Sequence, residues 1–119
     1  GIFPEGGITS PVLTEAKPGA VYLASMAKAK ILPVSVRGAS NAWGNIFRGV
    51  RSRIYINIGK PYGPIDISGT KSEKSKKIAN SSKELMCRIA ALLPEKKHGV
   101  FTGDSSISAY IKENNLESI

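Results

Sequence analysis

Residues 53–60, Arg-Ile-Tyr-Ile-Asn-Ile-Gly-Lys, alternate strictly, so that Ile54, Ile56 and Ile58 fall on one face and Tyr55 and Asn57 on the other. A period of two over that length specifies a β-strand with its isoleucines turned to one side of a sheet. A strand cannot satisfy its backbone groups alone, so the chain must supply a partner. The run 31–36, Ile-Leu-Pro-Val-Ser-Val, is apolar and β-branched without clean alternation, and it reads as an interior strand covered on both faces. Pro33 removes one ladder donor from that strand, which puts it at a bulge or among the strand's first residues. Pro61, Gly63 and Pro64 end the second strand.

Helical patterns interleave with these strands. Pro18 suits a first helical turn, and 20–28 follows with Ala20, Ala24 and Ala27 among Val21, Leu23 and Met26, a surface small enough to pack closely on the sheet. Thr70 and Glu73 form a capping box ahead of the longest helix, 71–93, whose stripe is Ile78, Leu85, Ile89 and Leu92 and which Pro94 stops. Lys71, Lys74, Lys76, Lys77 and Lys83 crowd its first half. The segment 38–52 is a basic, glycine-containing loop whose aromatic points are Trp43 and Phe47; it is expected to lie over the sheet as a lid. Near the end only 106–115 carries a helical pattern. The fold class is therefore α/β, a sheet flanked by helices.

At 119 residues the chain holds one domain at most. Its single cysteine, Cys87, excludes an intramolecular disulfide and a cysteine-based metal cluster, and its apolar helical setting makes it core filler. Seventeen basic residues against nine acidic give +8, so an anionic partner is expected: nucleic acid, an anionic membrane surface or a phosphate-bearing substrate. Lys28, Lys30 and Arg37 interrupt the best apolar stretch, so no segment reads as a membrane span, and none reads as a signal peptide.

The opening stretch, Gly1-Ile2-Phe3-Pro4-Glu5-Gly6-Gly7, looks like a strand end that meets a proline, a lone carboxylate and two glycines. Ligands collect at strand ends in open α/β sheets, where glycine lets the backbone approach them. By pattern alone the plainer alternative, a surface turn with a solvated glutamate, ranks ahead. A chain that opens inside a strand, on glycine, reads as an N-terminally truncated fragment.

Ile2-Phe3-Pro4-Glu5-Gly6, then Lys17-Pro18-Gly19-Ala20, then Ile31-Leu32-Pro33-Val34-Ser35-Val36-Arg37-Gly38 resemble, in order and spacing, the third and fourth sequence blocks of the glycerolipid acyltransferases, the enzymes related to 1-acylglycerol-3-phosphate acyltransferase. Gly59-Lys60-Pro61 and Leu92-Leu93-Pro94-Glu95 extend the likeness over roughly residues 1–100, so 1–98 would be the C-terminal portion of such a domain and 99–119 a tail. The resemblance implies acyl transfer from acyl-CoA or acyl carrier protein to a lysophospholipid or glycerol phosphate, peripherally at the cytoplasmic face of a membrane. It implies neither metal nor tightly held cofactor.

The family's general base is a histidine with an aspartate four residues away, and that block precedes Phe-Pro-Glu-Gly. This sequence does not contain it. The only histidine, His98, is followed by Gly99-Val100-Phe101-Thr102 and reads as a surface residue past a helix end, so no catalytic residue is expected here. By resemblance Glu5, Gly6 and Gly7 form the acceptor site, with Phe3, Pro4 and Pro33 shaping it. The commonest family form is Phe-Pro-Glu-Gly-Thr-Arg-Ser; Gly7 stands at its threonine and Ile8 at its arginine, the natural bidentate phosphate partner. Arg37 or Lys17 would then supply the missing charge. Arg48, Arg51, Arg53 and Lys60 with the α-helical lysines suit an anionic leaflet, and Trp43 and Phe47 beside them suit its interface. Two rivals remain: a basic nucleic-acid-binding module, which lacks a recognisable motif, and a non-catalytic lipid-binding relative.

Overall fold

The computed structural model describes residues 1–6, 12–39 and 42–114. Gly7 and Ile8, two positions singled out in the sequence, lie outside them. The elements run α1 (Gly19–Met26), β1 (Val34–Arg37), α2 (Ala42–Phe47), β2 (Tyr55–Ile58), α3 (Lys71–Ala90), two 3₁₀ turns (Glu95–Lys97 and Gly99–Phe101) and α4 (Ser105–Glu113).

α3 is the axis of the molecule. Its start is fixed by the expected capping box: the Glu73 amide donates to Thr70 Oγ1 at 3.3 Å, and the Thr70 amide donates to Glu73 Oε2 at 3.1 Å. The two bonds satisfy donors that the first turn leaves open. The first half of the helix, with its lysines, stands in solvent; the second half buries Ser82, Leu85, Met86, Cys87 and Ala90. Two clusters form on that half. Met86, Cys87 and Ala90 pack with Ala91, Leu13, Phe101 and Ile107. Leu85 packs with Ala20 and Val21 of α1, backed by Ile31, Tyr62 and Ile65. α1 therefore seats on α3, not on the sheet as the sequence suggested, and leaves Tyr22, Leu23 and Met26 exposed.

Of the segment read as a tail, the described residues 99–114 join this core through Phe101 and Ile107. Gly99 is the hinge of that arrangement. It holds φ +59, and a Cβ there would collide with the Leu13 carbonyl, so only glycine lets the 3₁₀ turn press against Leu13. His98 is corrected in the same place: it is 6% exposed, with Nε2 2.9 Å from the Leu93 carbonyl oxygen. Arg88 ties α3 to α4 and to Tyr62. Its guanidinium bonds Glu84 and Glu113 and lies 4.1 and 4.4 Å from the Tyr62 and Tyr110 ring centres.

β1 and β2 pair antiparallel, Val34 opposite Ile58, Ser35 opposite Asn57, Val36 opposite Ile56 and Arg37 opposite Tyr55. Pro33 precedes β1, where its carbonyl accepts from Gly59 and its missing N–H lies outside the four-pair ladder. Alternation predicted the second strand and an apolar, β-branched run the first, but the inward face is the polar one. Ser35 Oγ and Asn57 Nδ2 each donate to the Leu92 carbonyl at 2.9 Å, a group left open just beyond the end of α3. That anchorage turns Val34, Val36, Ile56 and Ile58 outward, with Ile56 and Ile58 60% and 62% exposed. The expected covering of β1 on both faces is thus corrected: one face is covered.

The segment 38–52 is likewise not a lid in this structure. Within it α2 buries no residue, and Trp43 and Phe47 are 75% and 85% exposed.

Candidate functional site

The site begins where the chain does. Phe3, Pro4, Glu5 and Gly6 form a turn closed by the Gly6 amide donating to the Phe3 carbonyl at 3.0 Å. Proline supplies its fixed φ to the turn, and Gly6 completes it at φ +78, a conformation few other residues adopt at low cost. The turn is tied to the segment before α1 twice. The Lys17 amide donates to the Pro4 carbonyl at 2.8 Å, and Thr14 donates to Glu5 Oε2 from its hydroxyl at 2.7 Å and its amide at 3.3 Å.

These ties bring the Lys17 side chain over Gly6. A Cβ on Gly6 would lie 2.9 Å from the Lys17 ammonium, so glycine leaves the space that the cation fills. Phe3, Pro4, Gly6, Lys17, Gly19 and Ala20 line an open cleft of about 480 Å³. Its walls are mostly apolar, and among the described residues that line it Lys17 alone carries a charged side chain. An ammonium lining an apolar cleft can hold a phosphate or carboxylate head group against an aliphatic body.

The sequence-predicted residues thus divide. Phe3, Pro4, Gly6 and Lys17 meet in one cleft, and Glu5 is not part of its lining. Glu5 does not reach into the cleft through Oε2, which Thr14 occupies; its carboxylate orders the turn. Gly7 is outside the described residues. Pro33 and Arg37 are elsewhere: Pro33 is buried against Gly59 at the hairpin's base, and Arg37 stacks 4.9 Å from the Tyr55 ring centre on the hairpin's polar face, with its buried Nε lacking a hydrogen-bond partner. Of the two cations expected to replace the family's arginine, geometry brings only Lys17 to the turn.

Thr14 was not singled out in the sequence. Nine residues separate it from Glu5, and no local period links them. Gly19 and Ala20 entered the sequence reading as part of the resemblance and as a helix start, not as site residues. A second, larger and more enclosed depression of about 920 Å³ lies between α3, from Ser75 to Lys83, and 100–104. It holds the unpartnered Ser82 hydroxyl and the Lys83–Asp104 ion pair at 3.4 Å. The Asp104 carboxyl lies below the usual aspartate range because the Ser106 hydroxyl and then its amide donate to it. Burial raises the Cys87 thiol, which keeps it an unreactive packing group.

Among the described residues no group of three or more His, Cys, Asp or Glu gathers to hold a metal ion. Nor, among them, is any helix long and apolar enough to cross a membrane. No family model, curated protein or solved structure matches the chain.

Proposed function

We propose that this chain provides the acceptor side of an acyltransferase that moves a fatty acyl group from acyl-CoA or acyl carrier protein to a lysophospholipid or glycerol phosphate. The observation that carries the reading is the convergence of Phe3, Pro4, Gly6 and Lys17 on one apolar cleft, with the Lys17 ammonium held beside Gly6. In this scheme the Lys17 ammonium pairs with the acceptor phosphate. The cleft walls take the adjoining apolar part of the acceptor, and Glu5, held by Thr14, keeps the turn and its backbone amides in place. The acceptor hydroxyl attacks the thioester carbonyl, the carbon–sulfur bond breaks and the carrier thiol departs. The base that takes the hydroxyl proton comes from outside these 119 residues, since their only histidine is buried against the Leu93 carbonyl.

The exposed apolar face of β1 and β2 supports the fold half of the reading, because in a sheet flanked by helices such a face carries a helical layer. The reading also places the protein peripherally at the cytoplasmic face of a membrane, where lysophospholipids reside. The state of His98 favours one second reading, a relative that binds the acceptor lipid without transferring acyl groups.

Calorimetric titration with monomeric lysophosphatidate tests the proposal. Saturable binding is expected, weakened about tenfold or more by Lys17→Ala, since a charge-assisted bond is lost; equal affinity of the variant contradicts the site. The pure chain with acyl-CoA and lysophosphatidate should release no free thiol, and measurable release would contradict an external base.

A further inference from the structure

The charge of this molecule is confined to one part of it. Residues 16–65 contain eight basic residues, Lys17, Lys28, Lys30, Arg37, Arg48, Arg51, Arg53 and Lys60, and no acidic one. Outside that segment nine basic residues face nine acidic ones, so the whole net charge of +8 resides in it. The same segment carries nearly all the exposed large apolar side chains; from 66 to 114 only Val100 is of that kind. Cations and bare apolar surface therefore coincide.

They come closest in α2. Trp43, Ile46 and Phe47 occupy helical positions i, i+3 and i+4, and Val50 follows the last turn, all of them exposed. Nothing among the described residues covers them. The opposite side is polar and tied down: Arg48 donates to Asn45 Oδ1 at 2.8 Å and to the Gly44 carbonyl at 3.3 Å, while Asn45 Nδ2 donates to Ser52 Oγ at 2.9 Å. Arg51 and Arg53 follow, both exposed. A short helix that hides none of its apolar face in water, but orders its polar face with a cation, is built to bury that face in something else.

We infer that α2 docks this protein on an anionic lipid leaflet, with Trp43, Ile46 and Phe47 entering the interfacial zone and Arg48, Arg51 and Arg53 meeting the head groups. Charge complementarity selects this occupant. A second copy would bring three further arginines against these three without a carboxylate to separate them, and a neutral apolar partner would leave all of them unmatched. The inference deepens the peripheral placement proposed above and does not depend on acyl transfer.

Trp43 is the only tryptophan, so its fluorescence reports the docking directly. The full chain, mixed with vesicles of phosphatidylglycerol and phosphatidylcholine, should show a blue-shifted Trp43 emission quenched by lipids brominated high on the acyl chain. Phe47→Glu should weaken binding about tenfold or more, and Arg51→Ala with Arg53→Ala about tenfold. Lys74→Glu with Lys76→Glu should leave the quenching in place. All of these side chains are exposed, and an unchanged circular dichroism spectrum checks that each variant is folded. Four results overturn the inference: vesicle binding without Trp43 quenching, equal binding to neutral vesicles, a dimer abolished by Phe47→Glu in a chain that ignores vesicles, or steeply salt-dependent retention on DNA without vesicle binding. Vesicle docking in a chain that ignores lysophosphatidate would keep this inference and remove the acceptor site.

Discussion

The half of the molecule from α3 to α4 and the half from α1 to β2 solve opposite problems with similar side chains. In the first, Met86, Cys87, Leu92, Phe101 and Ile107 are buried, and five carboxylates stand among its nine basic residues. Even its arginine, Arg88, has two carboxylates and two aromatic rings around it. In the second, Val36, Ile56, Trp43 and Phe47 face outward and the arginines 48, 51 and 53 have no carboxylate within their own half. The halves join through α1 on Leu85 and through two side-chain donors on the Leu92 carbonyl. Apolar content alone therefore does not say where a core is; of the two halves, only the packed one sets carboxylates among its cations. One half folds, and the other is left to bind.

That division is open to direct attack. Met86→Ala empties a fully buried site near the C-terminal end of α3 and should cost about 2–5 kcal/mol in urea unfolding. A loss below about 1 kcal/mol would mean that the core is looser than its burial suggests. Gly99→Ala forces a side chain into left-handed backbone and against the Leu13 carbonyl, with an expected cost of about 1–3 kcal/mol; an unchanged midpoint would show that the 3₁₀ turn can move away. Ile56→Ser, in the other half, should change stability by less than about 0.5 kcal/mol while reducing retention on a hydrophobic column. If it costs as much as Met86→Ala, the outer sheet face is covered in solution and the comparison fails.

Acid sharpens the same contrast. The Asp104 carboxyl caps α4 and lies below its ordinary value of 3.8 because the folded chain donates Ser106 groups to its ionised form. The unfolded chain then binds the proton more tightly. Asp104's contribution is fully present above pH 3.8 and is lost as pH falls through the lower folded value. Stability measured by urea midpoint should therefore decline below that pH, and Asp104→Asn, which retains a capping oxygen, should flatten the decline. No corresponding acid loss can arise from residues 16–65, which contain no carboxylate.

Much of the packed half was legible because its signals are local. The Thr70 and Glu73 box spans three residues, the α3 stripe repeats every turn, and Pro94 marks its end. The hairpin was legible as pattern and misleading as orientation. Alternation states which residues share a face, whereas the choice of inward face was made by Ser35 and Asn57 reaching Leu92, 57 and 35 residues away. His98 was misread for a related reason: its burial depends on how two 3₁₀ turns fold back toward Leu93 and Leu13. At the site, the turn of Phe3 to Gly6 could be read from proline and glycine, and Lys17 from the resemblance. The bond that orders Glu5 could not, since Thr14 is reached across a loop without period.

The most direct test is amide hydrogen exchange on the intact chain, free and with anionic vesicles carrying lysophosphatidate. The division of labour predicts that amides of 85–91 are the slowest in both states and that vesicles change them little. Amides of 42–58 should exchange quickly in the free chain and slow markedly on the vesicles, as should Gly6 and Lys17. Slow exchange of 42–58 in the free chain, or a vesicle effect confined to α3 and α4, would contradict it.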